Sequence, residues 1–598
     1  MNKQEIYLNE FNIPTKSSTY LPYSSGLLRA YAETNKDIKD NYKFKEFLFV
    51  RDDIKNLLKK YNNPSIAAFS CSVWNFQLSL AIAKAVKEKF PKCIIIFGGP
   101  QVPLNGDVFF KKYPFIDLNI YGEGERLFSE ILLQNLEDKT KLPFKTSLRK
   151  EKTAEDLDIF PSPYVNGLFD EVMDIHKHME FKAVIETNRA CPFSCTFCFW
   201  GQSSVSKKLA YHSIDYINKE ANWIANHGIK YVFCADANFG MFKRDIEIAT
   251  LYSKIKEENN YPEKFRVCYG KNSTESIFQT AAILSKSDLA KTVTLAIQSN
   301  DAETLKNIKR GNIKMSTYIA LQKRYTEAGI PTYTEIILGL PGETKDSFIN
   351  GVDTIISSII NNQVFIYHCQ ILPNTEMAEP DYLIKYGIKT VRVPMAEVHG
   401  NVRLSGQIPE YEEIVIGTDS LPTEEWMECA VISWIVQLCH GLKVCFDIVE
   451  WLVVRYNITR MSIYSNFAHS DNEYIKRFWE IAEDITNSKI RCQESPEFGE
   501  IYWEPEEFTF VKIAYNRDSF YNDFLKSVVK FLQNNNLEYD PELEMVFEIQ
   551  KNALPDTNNF KNPEEFATQV ILYGRKSNKT TAKDIINRQQ SPLVLPFN

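Results

Sequence analysis

Three cysteines stand within eight residues, Cys191, Cys195 and Cys198, in the run Arg189-Ala190-Cys191-Pro192-Phe193-Ser194-Cys195-Thr196-Phe197-Cys198-Phe199-Trp200-Gly201. Thiolate sulfur is the ligand that iron–sulfur clusters prefer, and three thiolates at this spacing can hold three corners of a cubane 4Fe–4S cluster. A structural zinc knot asks for four ligands in pairs. The next cysteine, Cys234, lies in a strand-like apolar run far from the loop. With no fourth cysteine in the run, one iron is left open, and an open iron implies chemistry beyond electron storage.

The stretch 181–370 alternates strand-like and helix-like segments. Strands are expected at Ala183–Glu186, Tyr231–Asp236, Phe265–Tyr269, Val293–Ser299, Thr332–Leu338 and Val364–Tyr367, with helices such as Ser213–Ile224 and Asp245–Lys256 between them. Such alternation predicts a parallel sheet covered by helices. In parallel barrels the functional groups gather at the C-terminal ends of the strands. Polar or glycine-rich residues fall there: Asp236 and Asn238, Lys271 and Asn272, Gln298 and Ser299, Gly339-Leu340-Pro341-Gly342-Glu343-Thr344, and His368 with Cys369 ahead of Leu372-Pro373-Asn374.

The cysteine spacing, with Phe197 before the last cysteine, resembles the radical S-adenosylmethionine (SAM) superfamily, and the downstream pattern is similar to that family's partial (β/α)6 barrel. The resemblance implies that Cys191, Cys195 and Cys198 ligate the cluster while its open iron chelates SAM. It further implies that SAM is cleaved to a 5′-deoxyadenosyl radical, with Asp236, Asn238, Gln298, Ser299 and Gly339 as cofactor contacts. It also implies an external electron donor such as ferredoxin or flavodoxin.

At 598 residues the chain exceeds one core, and three domains are expected. A net charge of −8 argues against bulk nucleic-acid binding. The cysteines outside the central run are scattered and no N-terminal signal pattern is seen, so a reducing cytoplasm is expected. The most apolar stretch, Cys429–Val454, is interrupted by Gln437, His440, Lys443, Asp447 and Glu450 and reads as a pair of buried helices instead of a membrane span.

Residues 1–150 carry a second α/β pattern: strands Ser65–Ser70, Cys93–Phe97 and Leu118–Tyr121, a helix Asn75–Lys87, and turns Gly98-Gly99-Pro100 and Gly122-Glu123-Gly124-Glu125 that let backbone approach a ligand. Ahead of a radical SAM core, this resembles the cobalamin-binding domain of cobalamin-dependent radical SAM enzymes, as do Tyr20-Leu21-Pro22-Tyr23 and Gly26-Leu27-Leu28. Ser70, Ser72, Trp74, Gly98 and Gly99 are the implied cobalamin contacts. The first histidine is His176, so the histidine of the Asp-x-His-x-x-Gly loop that many such domains carry is absent. Either cobalt is held without a histidine or the domain is vestigial.

The expected architecture is α/β: a doubly wound cobalamin-binding-like unit (1–150), a linker (151–180), the radical SAM barrel (181–390) and a mostly helical α+β extension (391–598) that shapes the substrate cavity. Within the extension, Tyr411–Gly417 reads as an edge strand. Helical spacing runs through Trp426, Val431, Trp434, Ile435 and Leu438, with Trp479, Phe498, Tyr502, Trp503, Phe508 and Phe510 beyond. These aromatics read as core, and His440 as a buried histidine. Cys-Phe-Trp-Gly and Leu-Pro-Asn look like the subset that modifies ribosomally made peptides, with or without a leader segment. Cobalamin-dependent C-methylation is the first expectation. The rival is peptide epimerisation, with Cys369 returning a hydrogen atom at the barrel mouth and the first domain a relic. A non-catalytic iron–sulfur protein is the third.

Overall fold

The computed structural model describes residues 3–13, 18–149, 156–201, 209–270, 275–290, 292–358, 363–395, 408–489 and 503–572. Lys271, Asn272, Phe498 and Tyr502 lie outside them.

The chain begins with strands β1 (Gln4–Asn12) and β2 (Ser18–Tyr20), followed by β3 (Tyr42–Phe44), β4 (Leu48–Val50), β5 (Pro64–Ser70), β6 (Ile94–Gly98), β7 (Leu118–Ile120) and β8 (Thr146–Leu148). Seven of these form one parallel sheet in the order β3-β1-β5-β6-β7-β8, with β4 also pairing to β1. Ile94–Phe97 is buried throughout because both faces of the sheet are covered, the usual state of a parallel strand. The first strand escaped the sequence reading because Glu5, Asn9 and Glu10 break its apolar pattern. Asn9 is fully buried, donating to Ala68 O at 3.0 Å and accepting from Tyr61 Oη at 2.6 Å.

β2 leaves this sheet and pairs in parallel with β9 (Glu180–Ile185) of the central unit, Ser18 opposite Glu180 and Tyr20 opposite Lys182. The cysteine loop is flanked by the two-residue strands β10 (Asn188–Arg189) and β11 (Ala210–Tyr211), which pair antiparallel. Then come β12 (Tyr231–Cys234), β13 (Lys264–Arg266), β14 (Val293–Gln298), β15 (Thr332–Leu338) and β16 (Gln363–His368). They form two parallel arcs, β13-β12-β9-β2 and β14-β15-β16. With a helix after each strand from β12 to β15, this is the expected partial barrel.

The chain then forms an antiparallel pair, β17 (Lys389–Pro394) and β18 (Tyr411–Gly417), and continues in helices. Gln437 Oε1 accepts the Ile366 N–H of β16 at 3.0 Å, so the helical unit satisfies the outer edge of the barrel. Trp426, Trp434, Trp503 and Phe510 are buried core residues, as is His440, which is fully buried against the Phe446 ring. The apolar helices Thr423–Gly441 and Phe446–Tyr456 meet at 96°, and among the described residues no single helix is long and apolar enough to cross a membrane.

Candidate active site at the cysteine loop

Cys191 and Cys195 are buried and Cys198 is partly exposed. Asn238 Nδ2 donates to Cys191 Sγ at 3.1 Å, which joins the end of β12 to the first cysteine. Asp236 lies beneath the loop. Its carboxylate accepts from Thr187 N at 2.8 Å, Asn188 N at 3.2 Å, Asn188 Nδ2 at 2.7 Å and the Thr187 hydroxyl. These four donors make it the group that fixes the entrance to the loop.

Arg189, two residues ahead of Cys191, is nearly buried and surrounded by acids. Its nitrogens stand 2.6 Å from Glu125, 2.8 Å from Glu186 and 3.8 Å from Glu123. Through Glu123 and Glu125 the Gly-Glu-Gly-Glu turn therefore serves as an ionic strut from the first sheet to the cysteine loop. Burial pushes Glu125 up, but Arg189 outweighs it and holds the carboxyl below its ordinary range. Glu186, where burial dominates, is pushed up to about 7.

Arg310 was missed by sequence reading. It is buried, donates to Asn312 Oδ1 at 2.8 Å and to Ala296 O, and faces the sulfurs of Cys195 and Cys198 and the carboxylate of Glu335. Burial lowers its affinity for the proton and these groups restore part of it. Its Lys309-Arg310-Gly311 context follows a helix, not a strand, so the strand-end criterion passed over it.

Gln298 ends β14 with φ of +68°, is 8% exposed, and among the described residues its side-chain oxygen has no hydrogen-bond partner. A buried amide oxygen left without a donor in a left-handed backbone marks a place prepared for a ligand. Ser299 Oγ donates to Glu343 Oε1 at 2.6 Å, linking two strand ends, and burial raises Glu343 to about 8. Gly339 has φ of +95°, and a Cβ there would stand 3.5 Å from Trp426 Nε1.

Cys369 is not an open thiol. It is 2% exposed, packs with Ile308, Leu340, Ile371 and Met377, and its Sγ lies 3.7 Å from Met377 Sδ. The β18 strand covers it, with Val415 N donating to Cys369 O at 2.9 Å. Strand-end position alone did not reveal that cover.

In the first unit Ser70 and Gly98 are paired at the adjacent ends of β5 and β6. A Cβ on Gly98 would find its nearest neighbour, Ile120 O, at 3.7 Å, an ordinary van der Waals distance, so the position tolerates a small side chain. Gly99 differs: φ is +97° and a Cβ would lie 2.6 Å from Cys71 O. Ser72 N donates to Asn75 Oδ1 at 2.7 Å, which shapes the loop carrying Trp74, whose side chain is 40% exposed. Asn374 of the barrel loop donates from one amide nitrogen to Pro100 O and Val102 O, both at 2.8 Å. The C-terminal strand ends of the two units are thereby held together.

The residues present suit the groups that the resemblance implies. Three cysteines on one loop, the first of them bonded by Asn238, are the donor type that a cubane takes. The exposed Trp74 indole on the loop after β5 offers an aromatic face to a large planar cofactor.

Residues 185–355 match the family model described as the Radical SAM superfamily, and the chain belongs to that superfamily. Within it, the chain is 34% identical over 435 residues to the 2-(S-pantetheinyl)-carbapenam-3-carboxylate methyltransferase of Streptantibioticus cattleyicolor. It is 35% identical over 436 residues to the cobalamin-dependent radical SAM methyltransferase TokK of Streptomyces tokunonensis. Each match covers 71% of this chain, which spans 63% of the length of either relative. A solved radical SAM methyltransferase, TsrM from Kitasatospora setae with cobalamin and a 4Fe–4S cluster bound, shares the fold at TM-score 0.51 and 14% identity, covering 81% of this chain and all of that one.

Proposed function

We propose that this chain is a cobalamin-dependent radical SAM methyltransferase that methylates an unactivated carbon. The observation that carries the reading is the Asn374 contact with Pro100 and Val102, which ties the loop after β6 to the loop after the last barrel strand. Cys191, Cys195 and Cys198 would hold a 4Fe–4S cluster, Asn238, Gln298, Ser299 and Gly339 would border SAM, and Ser70, Ser72, Trp74, Gly98 and Gly99 would border cobalamin. Bound there, the cluster supplies the electron that turns SAM into a source of hydrogen-abstracting radical, and cobalamin supplies the methyl group.

The chain's own residues position and exclude. Asp236 and the Arg189 strut fix the cysteine loop from below and from the first unit. Arg310 places positive charge beside thiolates that would otherwise repel one another. We assign the units to 1–150, 181–390 and 391–598, joined by 151–180, and take the external reductant to be ferredoxin- or flavodoxin-like.

The substrate enters through two observations. Cys-Phe-Trp-Gly and Leu-Pro-Asn carry the expectation of a ribosomal peptide, whereas one relative is named for a small bicyclic carboxylate. Epimerisation is disfavoured by the closed surroundings of Cys369. The test is product analysis after anaerobic reconstitution and reduction with SAM and a methyl-accepting substrate. Formation of both 5′-deoxyadenosine and S-adenosylhomocysteine supports methylation, and 5′-deoxyadenosine alone contradicts it.

A further inference from the structure

The loop that carries Trp74 is held from behind by a residue of the third unit. It joins β5 to the helix Phe76–Lys89, and Asn75, though of a type that often caps helices, makes no side-chain cap bond there. Its amide holds the loop itself: Nδ2 donates to Phe11 O at 3.1 Å and to Ser70 O at 3.0 Å, and Oδ1 accepts from Ser72 N. The helix start is served instead by Glu410, whose carboxylate accepts from Gln77 N at 2.7 Å and Leu78 N at 3.1 Å. Arg51, the residue after β4, completes the junction. Its Nη1 donates to Trp74 O at 2.6 Å and stands 3.5 Å from Glu410 Oε1, and its Nη2 donates to Ile408 O at 3.0 Å. The side chains of Arg51 and Glu410 are each 1% exposed. A guanidinium presents five donors in one plane, so it can serve two carbonyls and a carboxylate from separate segments in a single geometry.

The segment that carries Glu410 is fixed on both sides. Ile408 packs against the apolar core of the first unit. Met395 N, just past β17, donates to Glu410 O at 2.9 Å, and β18 begins at the next residue, Tyr411. β18 runs along the residues that follow β16: Ile371 N donates to Glu413 O and Val415 N to Cys369 O, both at 2.9 Å. The strap from Ile408 to Gly417 therefore joins the Trp74 loop of the first unit to the end of the last barrel strand.

Resting on the cobalamin assignment within the methyltransferase reading, we propose that Arg51 and Glu410 are positioning residues for the corrinoid. They fix the backbone that presents the Trp74 indole, so the β17–β18 hairpin completes a cofactor site whose implied contacts all belong to the first unit. Both side chains are too deeply buried to meet the cofactor themselves. A buried charge that loses its partner is strongly unfavourable, so removing the Glu410 charge displaces Arg51 and, with it, the Trp74 carbonyl.

The test is a double-mutant cycle read by hydroxocobalamin affinity. Absorbance titrations are made on the cluster-loaded protein as wild type, Glu410→Gln, Trp74→Ala and the double variant. Glu410→Gln is expected to weaken binding about tenfold with iron content unchanged, and to have no further effect once Trp74 is alanine. No loss in Glu410→Gln overturns the proposal. An equal loss in both backgrounds also overturns it, because the pair then supports the first unit without acting through Trp74. Hydrogen exchange of the wild type decides the matter even where a variant fails to fold or to bind. Hydroxocobalamin is expected to slow exchange at Gln77 and Leu78 and also at Glu412–Val415; slowing at the first pair alone overturns the role of the hairpin. A wild type that binds no corrinoid removes this inference and the methyltransferase reading together. One that binds corrinoid but transfers no methyl group removes that reading and leaves Arg51 and Glu410 their role.

Discussion

Arg189 donates to Glu125 across 2.6 Å, joining the residue two places before Cys191 to the first residue of a helix in the N-terminal unit. The cysteine loop is thus positioned as much by the neighbouring unit as by its own barrel. Arg189 also meets Glu186 and Glu123, so removing one acid weakens the strut and removing the cation leaves three acids facing each other. Glu125→Gln is expected to cost about 2 kcal/mol. Arg189→Met should cost more and lower the iron retained after reconstitution. Urea denaturation and iron assay check both; unchanged iron retention in Arg189→Met contradicts the role.

Asn374 has φ of +64°, a conformation that asparagine and aspartate tolerate better than most residues. Asn374→Asp keeps that tolerance and removes the amide donor that serves Pro100 and Val102. A carboxylate then faces two carbonyl oxygens. The expected result is weaker corrinoid retention on gel filtration with the cluster absorbance preserved.

Gly98 and Gly99 separate space from strain. Gly98→Ala meets nothing nearer than 3.7 Å and should fold normally while reducing corrinoid affinity. Gly99→Ala drives a Cβ into the Cys71 backbone at a positive φ and should lower thermal stability, with or without corrinoid. Thermal melts alongside corrinoid titration distinguish the two.

Cys369→Ala removes a sulfur from an apolar cluster and should cost about 1–2 kcal/mol without changing the product. Loss of product in a folded variant would restore the epimerase reading.

Glu220 is buried, accepts from Ser162 Oγ at 2.7 Å through one oxygen, and is raised by burial from 4.5 to about 8. Its folded form keeps a proton that the unfolded form has lost between those values, so this group makes stability fall as pH rises through that window. Glu220→Gln should flatten the fall by about 1.4 kcal/mol per pH unit. Urea midpoints measured between pH 5 and 8 give the slope, and an unchanged slope contradicts the assignment. Glu10, Glu186 and Glu343, raised in the same way, keep the remaining slope downward.

What could be read in the chain depended on whether local pattern carried it. Thr332–Leu338 forms a strand over the residues expected because its side-chain alternation matches the pleat, and Tyr411–Gly417 does so through its β-branched run Ile414-Val415-Ile416. β1 was hidden because Asn9 makes its hydrogen bonds to a residue 59 positions away. Arg310 and the Arg189 strut were hidden for the same reason: their partners come together only in the folded chain. Cys369 lies after a strand, as expected, but its cover comes from β18, which no local rule places there.

The most direct test is the corrinoid itself. Protein reconstituted anaerobically with iron, sulfide and hydroxocobalamin, then reduced and given SAM carrying a deuterated methyl group, should retain corrinoid in equal amount with chain. That corrinoid should carry the label. Retention of the cluster with no bound corrinoid, or bound corrinoid that never acquires the methyl group, contradicts the account.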